Sequence, residues 1–257
     1  MKRTLTVLCA LSLVFAFAFN VSASSDAHSF YIPRAGGKRP SLPKEESVIE
    51  KYDGYYIDPH VDDDSDLRVL YLTFDAGYEN GNVEKILDTL AEENVPAAFF
   101  VLDHLILENT ELVCRMQKEG HLVCNHTKNH KDMTKCPKEE MVKNLTDLEK
   151  ICEEKTGSKP AKYFRFPEGR FSEDALMTAK ELGYKSIFWS FAYADWDNDR
   201  QPDPVRAKKK ILENTHNGAV ILLHPTSATN ARILPELIGE WKRMGYTFGT
   251  LDQLTRD

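Results

Sequence analysis

Two histidines separated by three residues, His126 and His130, are the side chains best suited to chemistry in this chain. On a turn of helix, this spacing would place both imidazoles on the same face. Two neutral imidazoles can bind a divalent metal at about 2.0–2.1 Å each. A pair supplies only two ligands, so the rest of the site must come from another segment. Residues 73–78 (TFDAGY), at the end of the most strand-like run, are the expected partner.

Each candidate residue also has a purely structural interpretation. A single His-x-x-x-His pattern is weak evidence for a metal. Asp75 could cap a helix, Arg165 could belong to a structural ion pair, and Asp195 could cap a turn. His224 could simply end a strand, and Trp196 could be a core residue. The choice depends on where the surrounding elements place these residues.

Strand-like and helix-like segments alternate through most of the chain. Strands are predicted at 69–74, 97–102, 121–124, 163–166, 185–190, 219–223 and 246–251. Helices are predicted at 81–93, 109–120, 137–156, 172–182, 203–214 and 228–244, with Ser172 as an N-cap. Such alternation predicts an α/β fold with parallel strands and right-handed crossovers, either doubly wound or a barrel.

The candidate residues share one position in this plan. In both architectures the chemistry gathers at the carboxyl ends of the strands. The candidates that lie at such ends are Asp75 after the first strand, His126 and His130 after the third, Arg165 in the fourth, Asp195 after the fifth and His224 after the sixth. Random placement would scatter them over both ends, so the pattern predicts one site.

Five segments, in this order, resemble the motifs of the polysaccharide deacetylase family, also called NodB-homology or carbohydrate esterase family 4. They are residues 73–78, 126–130, 165–169, 195–196 and 222–224, within a resemblance that runs from about residue 66 to 254. The resemblance implies a single catalytic domain folded as a distorted (β/α) barrel of about seven parallel strands. That number agrees with the strands predicted above.

The resemblance also implies roles for four residues in the hydrolysis of an N-acetyl group. Asp75 would take a proton from the attacking water, and Arg165 would pair with and orient Asp75. His224 would protonate the leaving nitrogen, and Asp195 would tune His224. Each such proton transfer typically contributes about 10²–10⁴ in rate.

A divalent metal is implied as well. His126 and His130 would hold it, zinc being expected and cobalt or manganese being alternatives. The metal would acidify the attacking water and polarise the acetyl carbonyl. Tyr78 and Trp196 are expected to contact the substrate, through a backbone amide and an aromatic face respectively.

Two positions depart from the family pattern. Residue 76 is Ala where most members have a second Asp that ligates the metal, and residue 166 is Phe where Pro is usual. The first change leaves two histidines, water and at most Asp75 as ligands, so weak metal binding is expected.

Further stretches resemble the delta-lactam-biosynthetic de-N-acetylases of spore-forming bacteria. They are residues 76–81, 188–190, 193–197 and 223–227. This resemblance implies a peptidoglycan substrate, namely peptide-free N-acetylmuramic acid, whose freed amine cyclises to muramic-δ-lactam in spore cortex. The alternatives are a deacetylase acting on chitooligosaccharide, peptidoglycan N-acetylglucosamine or xylan, and an inactive glycan-binding protein, which only Ala76 favours.

The first 23 residues have the pattern of a signal peptide: Lys2 and Arg3, an apolar run, and a small-residue cleavage site ending at Ala23. An uncleaved anchor is the alternative. Residues 24–66 are predicted to be an N-terminal extension and residues 67–257 the catalytic domain. We therefore expect a secreted or envelope-associated monomer with no further membrane segment. The net charge of −7 argues against a nucleic-acid partner.

Four cysteines follow the predicted signal peptide: Cys114, Cys124, Cys136 and Cys152. A bond between Cys136 and Cys152 is excluded if they flank one helix, because they would be about 24 Å apart. No disulfide framework is evident in the sequence.

Overall fold

The computed structural model describes residues 27–256. The predicted signal peptide lies outside the described residues. Within residues 27–256, no helix combines the length and the apolar character needed to cross a membrane.

A parallel sheet of eight strands forms the centre of the structure. Its strands are β2 (Gly54–Tyr55), β3 (Val69–Ala76), β4 (Ala98–Val101), β5 (Leu122–Asn125), β6 (Ala161–Phe164), β8 (Lys185–Ile187), β9 (Ala219–Leu223) and β10 (Thr247–Phe248). β3 pairs with β4 and β9, and its first residues also pair with β10. Two further short strands, β1 (His28–Ser29) and β7 (Arg170–Phe171), form an antiparallel pair.

The sheet closes on itself just beyond the end of β8. Phe191 bridges Ile221 of β9 in parallel, and the Ser190 amide donates to the Val220 carbonyl at 2.9 Å. β2 pairs with β8 on the same side, and Ile57 forms an antiparallel bridge to Ala219. The predicted distorted (β/α) barrel is thus confirmed, and all seven predicted strands are present. β2 is an additional strand from the predicted N-terminal extension.

Helices cover the outside of the barrel. They are α1 (Val48–Lys51), α2 (Val83–Glu93), α3 (Asp103–Glu108), α4 (Thr110–Lys118), α5 (Lys138–Thr156), α6 (Glu173–Glu181), α7 (Pro204–Glu213), α8 (Ala228–Arg243) and α9 (Leu251–Leu254). The hydroxyl of Ser172 accepts from the Ala175 amide, so the predicted N-cap of α6 is confirmed. All six predicted helices are present, and α1, α3 and α9 lie outside the predicted ranges because each is too short to show a clear helical period.

The residues of β3 alternate strictly between the two faces of the barrel wall. Leu70, Leu72 and Phe74 belong to the cluster shared with the outer helices. Val69 and Tyr71 belong to the cluster that fills the interior. Since the side chains of a strand alternate, the next two residues of the inner series, 73 and 75, also face inward. This register places a carboxylate inside the barrel, at the carboxyl end of its longest strand.

The predicted N-terminal extension lies against the barrel. Phe30, Ile32 and Ile49 are buried in a third cluster, together with the aromatic residues that follow β6 and β8. The Phe30 amide donates to the Gly169 carbonyl at 2.9 Å. Gly169 has a φ of +65°, and a Cβ there would lie 2.7 Å from the Trp189 ring, so only glycine fits. The boundary at residues 66 and 67 stays a prediction.

Candidate active site

Arg165, directly after β6, is entirely buried and hydrogen-bonded. Its Nη1 donates to Asp75 Oδ1 and its Nη2 to Thr73 Oγ1, both at 2.9 Å. Its Nε donates to the Ile187 carbonyl at 2.9 Å, and Nη2 also contacts the Phe188 carbonyl at 3.2 Å. A buried guanidinium is tolerable only when its charge and donors are compensated in this way. The predicted association of Arg165 with Asp75 is present in the structure.

The protonation states around Asp75 follow from these contacts. Burial raises the pKa of the Asp75 carboxyl. The His126 imidazole and the Arg165 guanidinium together lower it by more than burial raises it, so the pKa lies below its usual value. Burial lowers the pKa of His126 to about 4. At neutral pH the site therefore holds an ionised carboxylate beside a neutral imidazole.

The two histidines meet, but not on a helical turn. No helix covers residues 126–130, and the expectation from their spacing was wrong on this point. Thr127 (φ +72°) and His130 (φ +58°) instead adopt the left-handed conformation, which is exceptional for a β-branched residue such as Thr127. The resulting loop places the two imidazole centres 5.0 Å apart at an interplanar angle of 70°.

Side chains beneath the loop hold this unusual backbone. The Thr127 amide donates to Asn125 Oδ1 at 2.9 Å, and the Lys128 amide donates to Asn144 Oδ1 at 2.6 Å. Asn144 belongs to α5. The side-chain Nδ2 of Asn125 also donates to the carbonyl of Leu145 in the same helix, at 3.0 Å. The histidine loop is thus fixed by the end of β5 on one side and by a helix on the other.

The donor set of the loop fits a divalent metal. His126 Nδ1 donates to the Arg165 carbonyl at 2.9 Å, so the lone pair is on Nε2. That Nε2 lies 3.5 Å from Asp75 Oδ2. Within residues 27–256, however, no group of three or more His, Cys, Asp and Glu side chains forms a complete metal site. His126 and His130 contribute two side chains of a type that ligates divalent ions, and Ala76 has no ligand atom in its side chain.

His224 follows β9 and is held by Asp195. The Nδ1 of His224 donates to Asp195 Oδ1 at 2.7 Å, and its amide donates to Asp195 Oδ2 at 2.9 Å. Asn230 on α8 donates to the same Oδ2 at 2.6 Å. Burial lowers the pKa of His224, but the hydrogen bond and the charge of Asp195 raise it more, so the pKa lies above its usual value. Nε2 is the nitrogen left for a bound molecule.

A cavity of about 700 Å³ brings these groups together. Its lining includes Asp75, His126, His130 and His224, with Tyr78 and Trp196 among the aromatic residues. Trp196 is 61 % exposed and Tyr78 is 41 % exposed, and the Trp196 ring meets His224 edge-on at 6.0 Å. Arg165 and Asp195 lie behind the lining and contact it through Asp75, His126 and His224.

Sequence reasoning missed several supporting residues. Thr73 could have been found, because it lies two residues before Asp75 and so on the same face of β3. Asn230 belongs to no motif and reaches Asp195 only through the packing of α8. Glu168 and Trp189 also line the cavity, and Glu168 has a left-handed backbone (φ +56°).

Comparison with known proteins gives consistent results. Residues 62–187 match the family described as polysaccharide deacetylase. The chain is 38 % identical over 208 residues to the peptidoglycan-N-acetylmuramic acid deacetylase PdaA of Bacillus subtilis, covering 81 % of this chain and 77 % of that protein. The solved structure of that family 4 carbohydrate esterase superposes with a TM-score of 0.83 at 35 % identity, covering 89 % of this chain and 96 % of the other.

The name of a second relative gives a different sugar as the substrate. The chain is 32 % identical over 198 residues to a peptidoglycan-N-acetylglucosamine deacetylase of Bacillus cereus, covering 74 % of this chain and 89 % of that protein.

Replacing Asp195 by Asn should lower the pKa of His224. Burial lowers this pKa, and the Asp195 carboxylate, which raises it, would be lost. The titration of His224 is measurable by ¹H–¹⁵N NMR of the imidazoles. Asp197→Asn is the matched control, since that partly exposed carboxylate pairs with Arg200 and should leave His224 unchanged. An equal or higher pKa in Asp195→Asn would contradict the assignment.

Proposed function

The chain belongs to the polysaccharide deacetylase family, and from that premise we propose that it is an exported, metal-dependent peptidoglycan N-deacetylase. The family makes it a hydrolase of carbon–nitrogen bonds. One observation carries the assignment of the chemistry: Asp75 and His224 line the same cavity, each held by a buried partner of opposite charge. A carboxylate without its proton and an imidazole with one are what amide hydrolysis requires.

The proposed base is Asp75. Its lowered pKa keeps the carboxylate free of a proton, and Arg165 fixes one of its oxygens, leaving Oδ2 toward His126. A carboxylate of low pKa is a weak base toward ordinary water. A divalent ion held by His126 and His130, with zinc expected, would supply an acidified water and polarise the acetyl carbonyl.

The proposed acid is His224. The raised pKa keeps a larger fraction of its imidazole protonated near neutral pH, and Asp195 fixes the ring through Nδ1. Nε2 would then give its proton to the leaving nitrogen, which departs as a neutral amine. We assign the amide of Tyr78 as a donor to the developing oxyanion. Trp196, exposed at the cavity, would contact the sugar face.

The proposed substrate is peptide-free N-acetylmuramic acid in peptidoglycan. The 38 % identity to a peptidoglycan-N-acetylmuramic acid deacetylase and the resemblance to delta-lactam enzymes support it. Removal of the acetyl group would leave an amine that cyclises to muramic-δ-lactam, as in spore cortex. Such a substrate lies outside the cytoplasm, in keeping with the predicted signal peptide. The competing substrate is peptidoglycan N-acetylglucosamine, favoured by the second relative.

The first test compares Asp75→Asn and His224→Ala with the unmodified protein on amidase-treated peptidoglycan. Mass analysis of the muropeptides should show deacetylated muramic acid with the unmodified protein. Each variant should be slower by at least about 10². Asp197→Asn should retain activity. Normal rates in either site variant, with unchanged circular dichroism, would contradict the acid–base assignment, and deacetylation confined to glucosamine would favour the competing substrate.

The second test concerns the metal. Replacing both His126 and His130 by Ala should abolish bound zinc in elemental analysis, because no group of three or more His, Cys, Asp and Glu side chains within residues 27–256 offers an alternative site. His104→Ala, an exposed histidine of α3, is the control and should keep the metal content unchanged. Stoichiometric zinc in the double variant would show that His126 and His130 are not the zinc ligands.

The third test concerns position 76. Ala76 is buried in the cluster shared with the outer helices and continues the outward series of β3, so its side chain does not line the cavity. Ala76→Asp would bury a carboxylate among apolar side chains. It should therefore lower the midpoint of denaturant unfolding and leave the dissociation constant for zinc unchanged. A lower dissociation constant in calorimetric titration would mean that the side chain at position 76 turns toward the ion.

A further inference from the structure

The segment from His28 to Arg34 precedes the residues that match the family, yet it borders the active-site cavity. β1 pairs with β7, and the Phe30 ring meets the Trp189 ring edge-on at 5.4 Å. Trp189 and Gly169, which Phe30 also contacts, both line the cavity. The segment therefore lies against one wall of the site.

Arg34 extends this contact along the same wall. Its Nη2 donates to the Ala192 carbonyl at 3.4 Å, and its guanidinium lies 5.9 Å from the centre of the Phe191 ring. Ala192 lines the cavity. The side chain is exposed, and no carboxylate within residues 27–256 forms an ion pair with it. Most of its five N–H donors are therefore available to a ligand.

The other arginines near the cavity are already neutralised. Arg165 is buried against Asp75. Arg170 pairs with Glu168 at 3.1 Å and with Asp132 at 3.2 Å. No lysine or arginine occurs among the described residues that line the cavity. A negatively charged group on a substrate at this wall would thus meet a cation without an ion-pair partner in Arg34.

Anchors on both sides hold Arg34 in place. Ile32 is buried in the cluster with Phe30. Arg39 donates to the Asn217 carbonyl and to the Asp58 carbonyl, both at 2.8 Å. A backbone fixed on both sides of Arg34 loses little further conformational entropy when the side chain binds a ligand.

We propose that Arg34 forms a subsite for the carboxylate of an acidic sugar, namely the lactyl carboxylate of N-acetylmuramic acid. A guanidinium and a carboxylate form paired, charge-assisted hydrogen bonds. A stem peptide converts this carboxylate to an amide and removes its charge, so the subsite selects peptide-free muramic acid. N-acetylglucosamine has no such group. The inference rests on the proposed function and names what recognises its substrate.

The test measures binding apart from turnover. Three tetrasaccharides are titrated by NMR: peptide-free peptidoglycan, the same compound methyl-esterified at the lactyl group, and chitotetraose. All proteins carry Asp75→Asn so that the acetyl groups survive. Arg34→Gln should weaken binding of the free acid by about tenfold and leave the other two ligands unchanged. Arg34→Lys should retain part of the affinity, and Arg206→Gln, an exposed arginine of α7, should retain all of it.

Kinetics of the otherwise unmodified enzyme give the second measurement. Arg34→Gln should raise KM for peptide-free peptidoglycan and leave kcat unchanged, because Arg34 does not touch the reacting atoms. Equal affinities of Arg34→Gln and its parent for the free acid would overturn the inference, even if the enzyme deacetylates muramic acid. Activity on chitotetraose but not on peptide-free peptidoglycan would overturn the proposed function. The role of Arg34 would still be decided by the titration, which compares the affinities of Arg34→Gln and its parent for the free acid.

Discussion

The buried Arg165–Asp75 ion pair is the contact on which the rest of the site depends. The guanidinium joins Asp75 and Thr73 of β3 to the carbonyl groups at the end of β8, and the Arg165 carbonyl fixes the His126 ring. One residue thereby sets the position of the carboxylate and the tautomer of the adjacent imidazole. Loss of either charge would leave the other buried without compensation, which is strongly destabilising. Barrel stability and site geometry are therefore linked.

The fold and the position of the site could be predicted from the sequence, because parallel strands bring their carboxyl ends together whatever their exact pairing. Asp75 lies early and His224 late in the sequence of the barrel, and both line one cavity. The conformation of the histidine loop could not be predicted. The spacing of His126 and His130 also suits a helix, and the left-handed turn at Thr127 depends on hydrogen bonds that the loop amides donate to the side-chain oxygens of Asn125 and Asn144.

Other features escaped prediction because they depend on distant contacts or on very short elements. β2 has two residues, too few for any hydrophobic period, and it becomes a strand only by pairing with β8. Asn230 supports Asp195 across the fold, and nothing in the neighbouring sequence indicates that role. The position of Arg34 likewise follows from how Phe30 and Ile32 are buried. Local patterns identify the reacting groups, whereas their supports are set by tertiary packing.

Closure of the barrel has a consequence for the order of folding. Gly54 of β2 pairs with Ser186, and Phe191 joins β9, which returns to β3 near the start of the barrel. Such pairings are distant in sequence, and the loop entropy has to be lost before they contribute, so we expect them to form late. The ring is complete only when most of the chain is available. A polypeptide that stops before β9 would have Asp75 without His224, so catalytic competence should arise as a single late event.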